Sequence, residues 1–526
     1  MTTKTKLVKR QSSVLLPERD IDKSPVLECV GLGVTFGGLK AVEDFDLTIG
    51  RTEIAGLIGP NGAGKTTVFN LLTKVYQPTA GAILLDGKDT HSMTTAQVNK
   101  AGIARTFQNI RLFNDLTVAE NLMVAMNDSV RYGLAGSILH FPRYAREERI
   151  ARERTEELLS IFHMESHADE RAGSLPYGAQ RRLEILRALA SNPCLLLLDE
   201  PSVGVDPISR RELWSMVGEL MEGGMTVLWS TAYLDEAEHC DKVILLDESK
   251  KLFEGPPGEL TGRLKGRVFL LSEPSGGRRG ALRRVLREPF VHDGVIQGGS
   301  VRFVTAPGGE PQALARKLGG TLAPAAPRFE DAFIDILGGG PGGESALAAG
   351  LSPLPDDGAV VVEADRLTKK YGSFTAADSI SFRIRRGEIF GLLGPNGAGK
   401  STTFKMMCGL ARPTSGRALV AGCELGRSGG SVRRRIGYMA QKFSLYDGLS
   451  VRQNLAFFSG IYGLSGRAQK AKIEEMVEIF HFQNILGQFA VQALIVVLGA
   501  GEQEGQREHI QSGAELSQGS RTAPEQ

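Results

Sequence analysis

The chain has 526 residues, of which 42% are hydrophobic and 23% charged, and its formal net charge at pH 7 is +2. This composition is typical of globular protein and excludes a largely disordered chain. At roughly 150 residues per domain, the length predicts about three to four domains. The nearly balanced charge gives no indication of nucleic acid as a partner, and we expect none.

Cysteine spacing and the length of the apolar runs exclude further classes of protein. The five cysteines are scattered without the spacing of a zinc site or a disulfide framework, which predicts a protein of the reducing cytoplasm. The longest weakly polar run, residues 489–501, is shorter than the ~20 residues that a membrane helix requires. We therefore expect no direct membrane insertion, so a membrane role would need a partner chain.

The first strong motif follows an N-terminal tail, residues 1–24, that we expect to be disordered. The apolar run Ile54–Ile58 predicts a strand, and the loop after it fits the phosphate-binding pattern G-x-x-x-x-G-K-[ST]. Glycines allow backbone N–H groups to surround phosphate oxygens, and the following helix adds its positive end. The lysine would reach the outer phosphates, and the first threonine would hold magnesium. The loop consists of Gly59, Pro60, Asn61, Gly62, Ala63, Gly64, Lys65, Thr66 and Thr67.

A second motif is an apolar strand that ends in two acidic residues. The run Leu195–Leu198 is typical of a buried parallel strand, and Asp199 and Glu200 follow at its C-terminal end. Asp199 would hold magnesium, and Glu200 would polarise the water that attacks the γ-phosphate, since such catalysis consists of positioning and electrostatics. The alternative is that the pair caps the next helix.

Residues 263–338 are rich in Gly, Pro, Ala and Arg and predict a small α+β accessory domain, followed by a flexible linker at 339–358. The arginines between residues 278 and 287 predict a solvated helix face, with a nucleic-acid or lipid patch as the alternative. The predicted elements are a strand at Val268–Leu271, helices at Ala281–Arg287, Pro311–Leu318 and Phe329–Leu337, and a hairpin at Val291–Ala306.

The N-terminal motifs recur in a second copy. Ile389–Leu393 repeats the apolar run, and Tyr371 precedes the second loop lysine by as many residues as Phe36 precedes the first. One loop match could be a glycine-rich surface turn, whereas a duplicated one favours two phosphate sites. A glutamine follows each loop at a similar distance, Gln108 and Gln441. The second loop consists of Gly394, Pro395, Asn396, Gly397, Ala398, Gly399, Lys400, Ser401 and Thr402.

The second copy is incomplete in the sequence. Beyond Gln483 the repeat stops, without a counterpart of the acidic strand end. Residues 484–526 are rich in Gly, Glu, Gln and Ser, which predicts a disordered tail outside the repeat. We interpret this pattern as a frameshift or a truncation of the second copy.

The combined motifs resemble the ATP-binding cassette of ABC transporters, over about residues 35–260 and again over about 363–482. The resemblance implies that Phe36 and Tyr371 stack on adenine, and that Gln108 and Gln441 touch magnesium and sense the membrane partner. The predicted catalytic residues are Lys65, Gln108 and Glu200. The implied magnesium ligands are Thr66, Gln108, Asp199, Ser401 and Gln441. The family's signature motif, which closes over the nucleotide of an opposing cassette, is matched by Leu175, Pro176, Tyr177, Gly178, Ala179 and Gln180.

Two departures from the family pattern predict slow hydrolysis. Pro176 stands where the signature usually has a serine that contacts the γ-phosphate, and Ala232 stands where the family has a histidine that orients it. Losing one preorganised donor to transition-state charge typically costs ~10²–10³ in rate. We therefore expect good ATP binding but slow turnover.

The resemblance also divides the chain. Residues 31–192 are similar to the ATPase subunits of branched-chain amino-acid importers. Residues from about 199 to 482 are similar to tandem-cassette ATPases of drug and lipid exporters.

Together these inferences predict an α/β protein with two P-loop NTPase cassettes, residues 25–262 and 359–483. Each has a parallel sheet core, an antiparallel β subdomain and a helical subdomain, and the second is incomplete. The resemblance implies an ATP-hydrolysing subunit that uses ATP and Mg²⁺ on the cytoplasmic face of the plasma (inner) membrane. It would act with transmembrane permease subunits on separate chains and dimerise to complete its site. The alternatives are a soluble tandem-cassette ATPase on ribosomes and a truncated, non-functional fragment.

Overall fold

A computed structural model describes residues 25–36, 39–126, 142–340, 357–395, 397–425, 436–440, 445–480, 482–483 and 486–487. The predicted site residues Asn396 and Gln441 lie outside this range, as do the N-terminal tail and almost all of residues 484–526. The described chain forms two compact units, one within residues 25–205 and 209–340, the other formed by 206–208 and residues from 357 onward.

Residues 25–340 contain strands β1 to β14 and helices α1 to α10. The strands are Leu27–Phe36, Leu39–Ile49, Ile54–Ile58, Ala80–Leu85, Lys88–Asp89, Ile103–Arg105, Leu195–Asp199, Thr226–Thr231, Lys242–Asp247, Lys250–Gly255, Val268–Ser272, Val291–Gln297, Ser300–Thr305 and Thr321–Pro324. The helices are Lys65–Leu72, Thr95–Ala101, Val118–Ala125, Pro142–Ile161, Tyr177–Leu189, Pro207–Glu222, Pro257–Gly262, Arg278–Val285, Pro311–Leu318 and Phe329–Ile336.

The central sheet of the first unit has the strand order β10-β9-β3-β8-β7-β6. Strand β3 pairs in parallel with β8 on one side and β9 on the other, and β7 pairs in parallel with β8 and β6. Every residue of β3 and β7 is buried. Parallel strands covered on both faces read as unbroken apolar runs, which is why both strands were predictable from sequence. The predicted α/β fold class is confirmed.

Two further layers complete the first cassette. An antiparallel sheet with the order β2-β1-β4-β5 shares an apolar cluster with α1 and one face of the central sheet. Helices α3, α4 and α5 form a helical part whose buried side chains join those of β7 and β8 in a second cluster. Helix α3 begins with a capping box, in which the Thr117 side chain accepts from the backbone N–H of Glu120.

Residues 263–340 form a sheet with the order β12-β13-β11-β14 and three helices. The elements predicted there occur, and α9 has the predicted bounds Pro311–Leu318, whereas α8 begins earlier than predicted, at Arg278. One face of this sheet packs on α8 and α9. The other face and α10 contribute Val268, Val304 and Phe329 to the apolar cluster of the cassette. The domain boundaries at 262 and 338 stay sequence predictions.

The second unit repeats the antiparallel part of the first. Its strands β15 to β18 are Val360–Tyr371, Phe374–Arg385, Ser415–Val420 and Cys423–Glu424, and its helices α11 to α13 are Lys400–Met407, Val451–Ile461 and Gly466–Ile479. The sheet order β16-β15-β17-β18 matches that of β2-β1-β4-β5. Helix α12 begins with a capping box at Ser450, as α3 does at Thr117. Such agreement in detail supports duplication of one module.

The predicted strand Ile389–Leu393 is wrong. This run is irregular in the structure, and Ile389 and Leu393 are 83% and 92% exposed. Its counterpart β3 draws its hydrogen bonds from β8 and β9, and the described residues from 357 onward contain no parallel strand that could do the same. An apolar run without such neighbours has neither backbone partners nor a covered face.

In the part of the chain that the structure describes, no helix combines the length and apolar character needed to cross a bilayer.

Candidate functional site

The first phosphate-binding loop joins β3 to α1 and depends on glycine. Gly62 and Gly64 have φ angles of 87° and 99°, in the left-handed region that favours glycine. A Cβ on Gly59 would lie 2.3 Å from the carbonyl oxygen of Leu246, and one on Gly64 would lie 2.8 Å from that of Ala41. Of the other loop residues, Pro60 and Asn61 are exposed, Ala63 and Thr67 are buried, and Thr66 is half-buried.

The loop lysine is buried across the loop. Lys65 is 5% exposed, and its Nζ donates to the carbonyl oxygens of Gly59 at 2.7 Å and Pro60 at 3.1 Å. The same Nζ lies 3.4 Å from Oε1 of Glu200. Burial lowers the pKa of Lys65, and the carboxylates of Glu200 and Asp199 oppose that effect. A phosphate placed in this loop would restore some of the charge stabilisation that burial removes.

The two acidic residues lie at the C-terminal end of β7 and are held by different partners. Oδ2 of Asp199 accepts from Nη2 of Arg105 at 2.7 Å, and Oδ1 accepts from the Ser230 hydroxyl at 3.2 Å. Oε2 of Glu200 accepts from Nε2 of Gln108 at 2.9 Å. The structure therefore brings together the three predicted catalytic residues Lys65, Gln108 and Glu200, with Asp199 beside them.

The donor set fits a magnesium ion shared with phosphate oxygens. Within the described ranges, no three His, Cys, Asp or Glu side chains form a group that could hold a metal by themselves. Asp199 and the hydroxyl of Thr66 are hard oxygen donors, and Mg²⁺ is usually bound through one or two carboxylates together with substrate phosphates. Thr66 directly follows Lys65, so the hydroxyl belongs to the same loop that would hold the phosphates.

Sequence reasoning missed Arg105, which fixes the acidic strand end. Its guanidinium bridges Asp199 and the Oδ1 of Asn70 in α1, the latter at 2.6 Å. Its Cζ lies 5.5 Å from the ring centroid of Phe69 and 5.0 Å from that of Phe107. Burial lowers the pKa of Arg105, and Asp199 counteracts this effect. The sequence signal available was only its position three residues before Gln108.

The signature segment lies at the start of α5. Pro176 is the N-cap residue and provides no side-chain hydrogen bond to the helix start, whereas a serine there could provide one. The Tyr177 hydroxyl donates to the carbonyl oxygen of Val203 at 3.2 Å, and Nε2 of Gln180 donates to that of Leu175 at 2.9 Å. In the same segment, Gly178 is half-buried and Ala179 is buried. The segment therefore contacts the loop that follows Glu200.

One turn further along α5, Arg181 connects this helix to the site. Its side chain is 1% exposed and donates to the carbonyl oxygens of Phe107 at 2.6 Å, Gln108 at 2.9 Å and Glu200 at 3.3 Å. Arg181 also pairs with Glu184 at 2.7 Å. One buried guanidinium thus donates to the main-chain carbonyls of both Gln108 and Glu200, the two residues whose side chains are hydrogen-bonded to each other.

Two other predicted positions lie at the edges of the site. The Phe36 ring packs edge-on against Tyr76, with centroids 5.0 Å apart. Ala232 directly follows β8 and is exposed. Ser230, two residues before Ala232, donates to Asp199. Position 232 therefore lies two residues from a side chain that contacts the acidic strand end, but alanine provides no donor there.

The second loop keeps the lysine geometry, but among the described residues no acidic side chain pairs with its lysine. Nζ of Lys400 donates to the carbonyl oxygens of Gly394 at 2.6 Å and Pro395 at 2.7 Å, as Lys65 does in the first loop. Lys400 is only half-buried. Tyr371 is exposed, and Nζ of Lys369 lies 5.0 Å from its ring centroid. Of the remaining described loop residues, Gly397, Ala398 and Ser401 are exposed, and Gly399 and Thr402 are half-buried.

Replacing Arg181 by methionine should lower the free energy of unfolding by about 3–5 kcal/mol, because the buried Glu184 would lose its ion-pair partner and keep only the backbone N–H groups of Phe107 and Arg111 as donors. Chemical denaturation of the purified chain measures this loss. The matched double variant Arg181→Met, Glu184→Leu should recover part of it. A double variant that is no more stable than the single one would show that the buried charge is not the cause.

The comparisons with known proteins agree with this geometry. The family model described as "ABC transporter" matches residues 42–203 and 377–523. The second match extends across residues that the sequence analysis assigned to a tail. The Escherichia coli (strain K12) "Probable multidrug ABC transporter ATP-binding protein YbhF" is 46% identical over 466 residues, which cover 88% of this chain and 78% of that protein.

Other relatives match the first part of the chain. The Pseudomonas aeruginosa "High-affinity branched-chain amino acid transport ATP-binding protein BraF" is 37% identical over 238 residues, covering 45% of this chain and 93% of that protein. A solved ATP-binding cassette of an ABC transporter is 27% identical, with a TM-score of 0.40, and covers 44% of this chain and 91% of its own. These relatives are named for transport, and none of them for ribosomes. The chain belongs to the ABC transporter family, as an ATP-binding protein of that family.

Proposed function

We propose that the chain hydrolyses ATP and couples ATP binding and hydrolysis to substrate movement by transmembrane permease subunits supplied as separate chains. The observation that carries this proposal is the meeting of Lys65, Gln108 and Glu200 where β3 and β7 end. The chain would lie on the cytoplasmic face of the plasma (inner) membrane through those partners. Fractionation of cells that produce it tests this location: recovery with membranes is expected, and recovery with ribosomes would contradict it.

The phosphates of ATP would be held by the loop Gly59–Thr67, with the Lys65 ammonium on the outer phosphates. Phe36 and, in the second unit, Tyr371 would stack on adenine. Bound Mg²⁺ would supply positive charge to the phosphate oxygens. Its protein ligands would be the hydroxyl of Thr66 with Asp199 and Gln108 in the first site, and Ser401 with Gln441 in the second.

Glu200 would act on the attacking water. Its Oε2 accepts from Gln108 at 2.9 Å, so one carboxylate oxygen is already oriented, and Oε1 is 3.4 Å from the Lys65 ammonium. A carboxylate fixed in this way can accept a proton from a water placed beside the γ-phosphate. Preorganised groups in a buried site contribute mainly by positioning and electrostatics.

Lys65→Met should abolish measurable hydrolysis, since removing a preorganised positive group typically costs ~10²–10³ in rate. The matched variant Lys400→Met should leave the rate within about twofold, because no acidic strand end lies beside Lys400 in the described second unit. Steady-state phosphate release by the purified full chain measures both. Equal losses in the two variants would contradict the assignment of catalysis to the first loop.

We further propose that two chains pair their first cassettes, so that Leu175–Gln180 of one chain covers the nucleotide of the other. Glu200→Gln should trap this state, because it retains the hydrogen-bonding shape but removes the carboxylate. Light scattering should then give a dimer with ATP and Mg²⁺ and a monomer without nucleotide. A monomer at saturating ATP would refute the pairing.

Turnover should be slow, because Pro176 and Ala232 remove two donors that the family pattern provides. Ala232→His should raise kcat by about tenfold or more, since one preorganised donor is typically worth ~10²–10³. Tyr233→His is the matched control, because it places the same side chain one position further along and should not raise kcat. A wild-type rate of tens per second, unchanged in Ala232→His, would refute this account.

A further inference from the structure

A buried carboxylate outside the predicted site holds two segments beside Glu200. Glu236 lies in the 3-10 helix Leu234–His239 and is 1% exposed. Its Oε2 accepts from the Ser202 hydroxyl at 3.0 Å and from Nε1 of Trp229 at 3.0 Å. Its Oε1 lies 3.8 Å from Nε of Arg210. Oε1 has no hydrogen-bond partner within the described residues. Burying a carboxylate is costly unless it is paired and hydrogen-bonded, so the two donors to Oε2 and the nearby Arg210 guanidinium offset part of that cost.

Both donors come from segments that flank Glu200. Ser202 is the second residue after it in the loop that follows β7. Trp229 lies in β8, opposite Leu198 of β7. Glu236 therefore connects the loop after Glu200 to the strand that supports Glu200 from the side.

The backbone at Glu200 needs such support. Its φ angle is 46°, a left-handed conformation that residues other than glycine rarely adopt. Backbone of this kind persists only where the surrounding structure determines it from several sides. The N–H of Glu200 donates to the Ser230 carbonyl, and its own carbonyl accepts from Val203 N–H and from Arg181. The Ser202–Glu236 hydrogen bond adds a side-chain contact to this turn, beside the backbone hydrogen bond from Val205 N–H to the Ser202 carbonyl.

Helix α10 covers this arrangement from the accessory segment. It contacts the 3-10 helix, and its side chains Phe329, Ala332 and Phe333 belong to the same apolar cluster as Trp229 and Ala237. The Glu236 side chain is 1% exposed, and exclusion of water strengthens its hydrogen bonds.

We propose that Glu236 is a positioning residue for Glu200, acting through Ser202. The proposal rests on the proposed function, since it assigns Glu236 a part in the hydrolysis that Glu200 performs. Glu236 does not touch the reacting atoms. It holds the Glu200 turn in the conformation in which Glu200 accepts from Gln108.

Steady-state kinetics of the full chain test this role. Glu236→Met removes the acceptor at similar side-chain length and should lower kcat about 10-fold to 100-fold, with KM changed less than about twofold, because misplacement by about 1 Å can cost 10²-fold. Glu236→Gln keeps one oxygen for both donors and should retain most of kcat. Glu238→Met, an exposed carboxylate on the same 3-10 helix, is the matched control. A wild-type kcat in Glu236→Met would overturn the proposal. So would a loss of kcat in Glu236→Gln as large as that in Glu236→Met.

A second variant tests the route through Ser202. Ser202→Ala should lower kcat as well, and Glu236→Met combined with Ser202→Ala should lose no more than Glu236→Met does. If the loss of kcat in the double variant equals the product of the two single losses, the two residues act separately and the proposal is overturned. If Glu236→Met does not fold, Ser202→Ala alone decides, and an unchanged kcat refutes the role.

A spectroscopic measurement checks the hydrogen bond itself. The chain has two tryptophans, which stack with ring centroids 4.0 Å apart, so the comparison is made in the Trp214→Phe background, where 5-fluorotryptophan labelling should give one fluorine resonance, that of Trp229. Glu236→Met should shift the Trp229 resonance, and an unshifted one would refute the contact. An active wild type with an inactive Glu200→Gln supports the proposed function whatever Glu236→Met does. An inactive wild type would overturn both.

Discussion

The parallel pairing of β3 between β8 and β9 is the constraint on which the site depends. It fixes the point at which the phosphate loop leaves the sheet, and β8 in turn aligns β7 one strand away. Because the C-terminal ends of parallel strands lie at one edge of a sheet, the loop lysine and the acidic pair meet there although they are far apart in sequence. Three strands of this sheet, β3, β6 and β7, lie within the first family match at residues 42–203.

The second unit shows which part of the motif is local. Lys400 folds back onto Gly394 and Pro395 as Lys65 does onto Gly59 and Pro60, so the loop conformation follows from its own residues. The strand that precedes the loop in the first unit does not follow from its own residues, because the corresponding run Ile389–Leu393 is irregular and exposed in the described structure. A phosphate loop can thus keep its shape without the sheet, but it gains acidic partners only through the sheet.

Sequence patterns predicted those elements whose structure depends on residues adjacent in the chain. The buried strands were visible as apolar runs, the loop as a glycine pattern, and α9 as a segment beginning with Pro311. The contacts that organise the site were not visible. The hydrogen bonds Arg105–Asp199, Arg181–Glu200 and Ser202–Glu236 form only when the sheet brings these residues together. No short-range sequence pattern distinguishes them from polar residues on the surface. The wrong strand at Ile389–Leu393 has the same cause, since pairing decides whether an apolar run becomes a strand.

Hydrogen–deuterium exchange of the purified chain, resolved to peptides that contain Ile54–Ile58 and Ile389–Leu393, tests the dependence on parallel pairing most directly. The two peptides have similar sequences and precede nearly identical loops, so they serve as controls for each other. The account predicts strong protection of Ile54–Ile58 and exchange close to that of an unstructured peptide for Ile389–Leu393. Equal protection of the two peptides would contradict it.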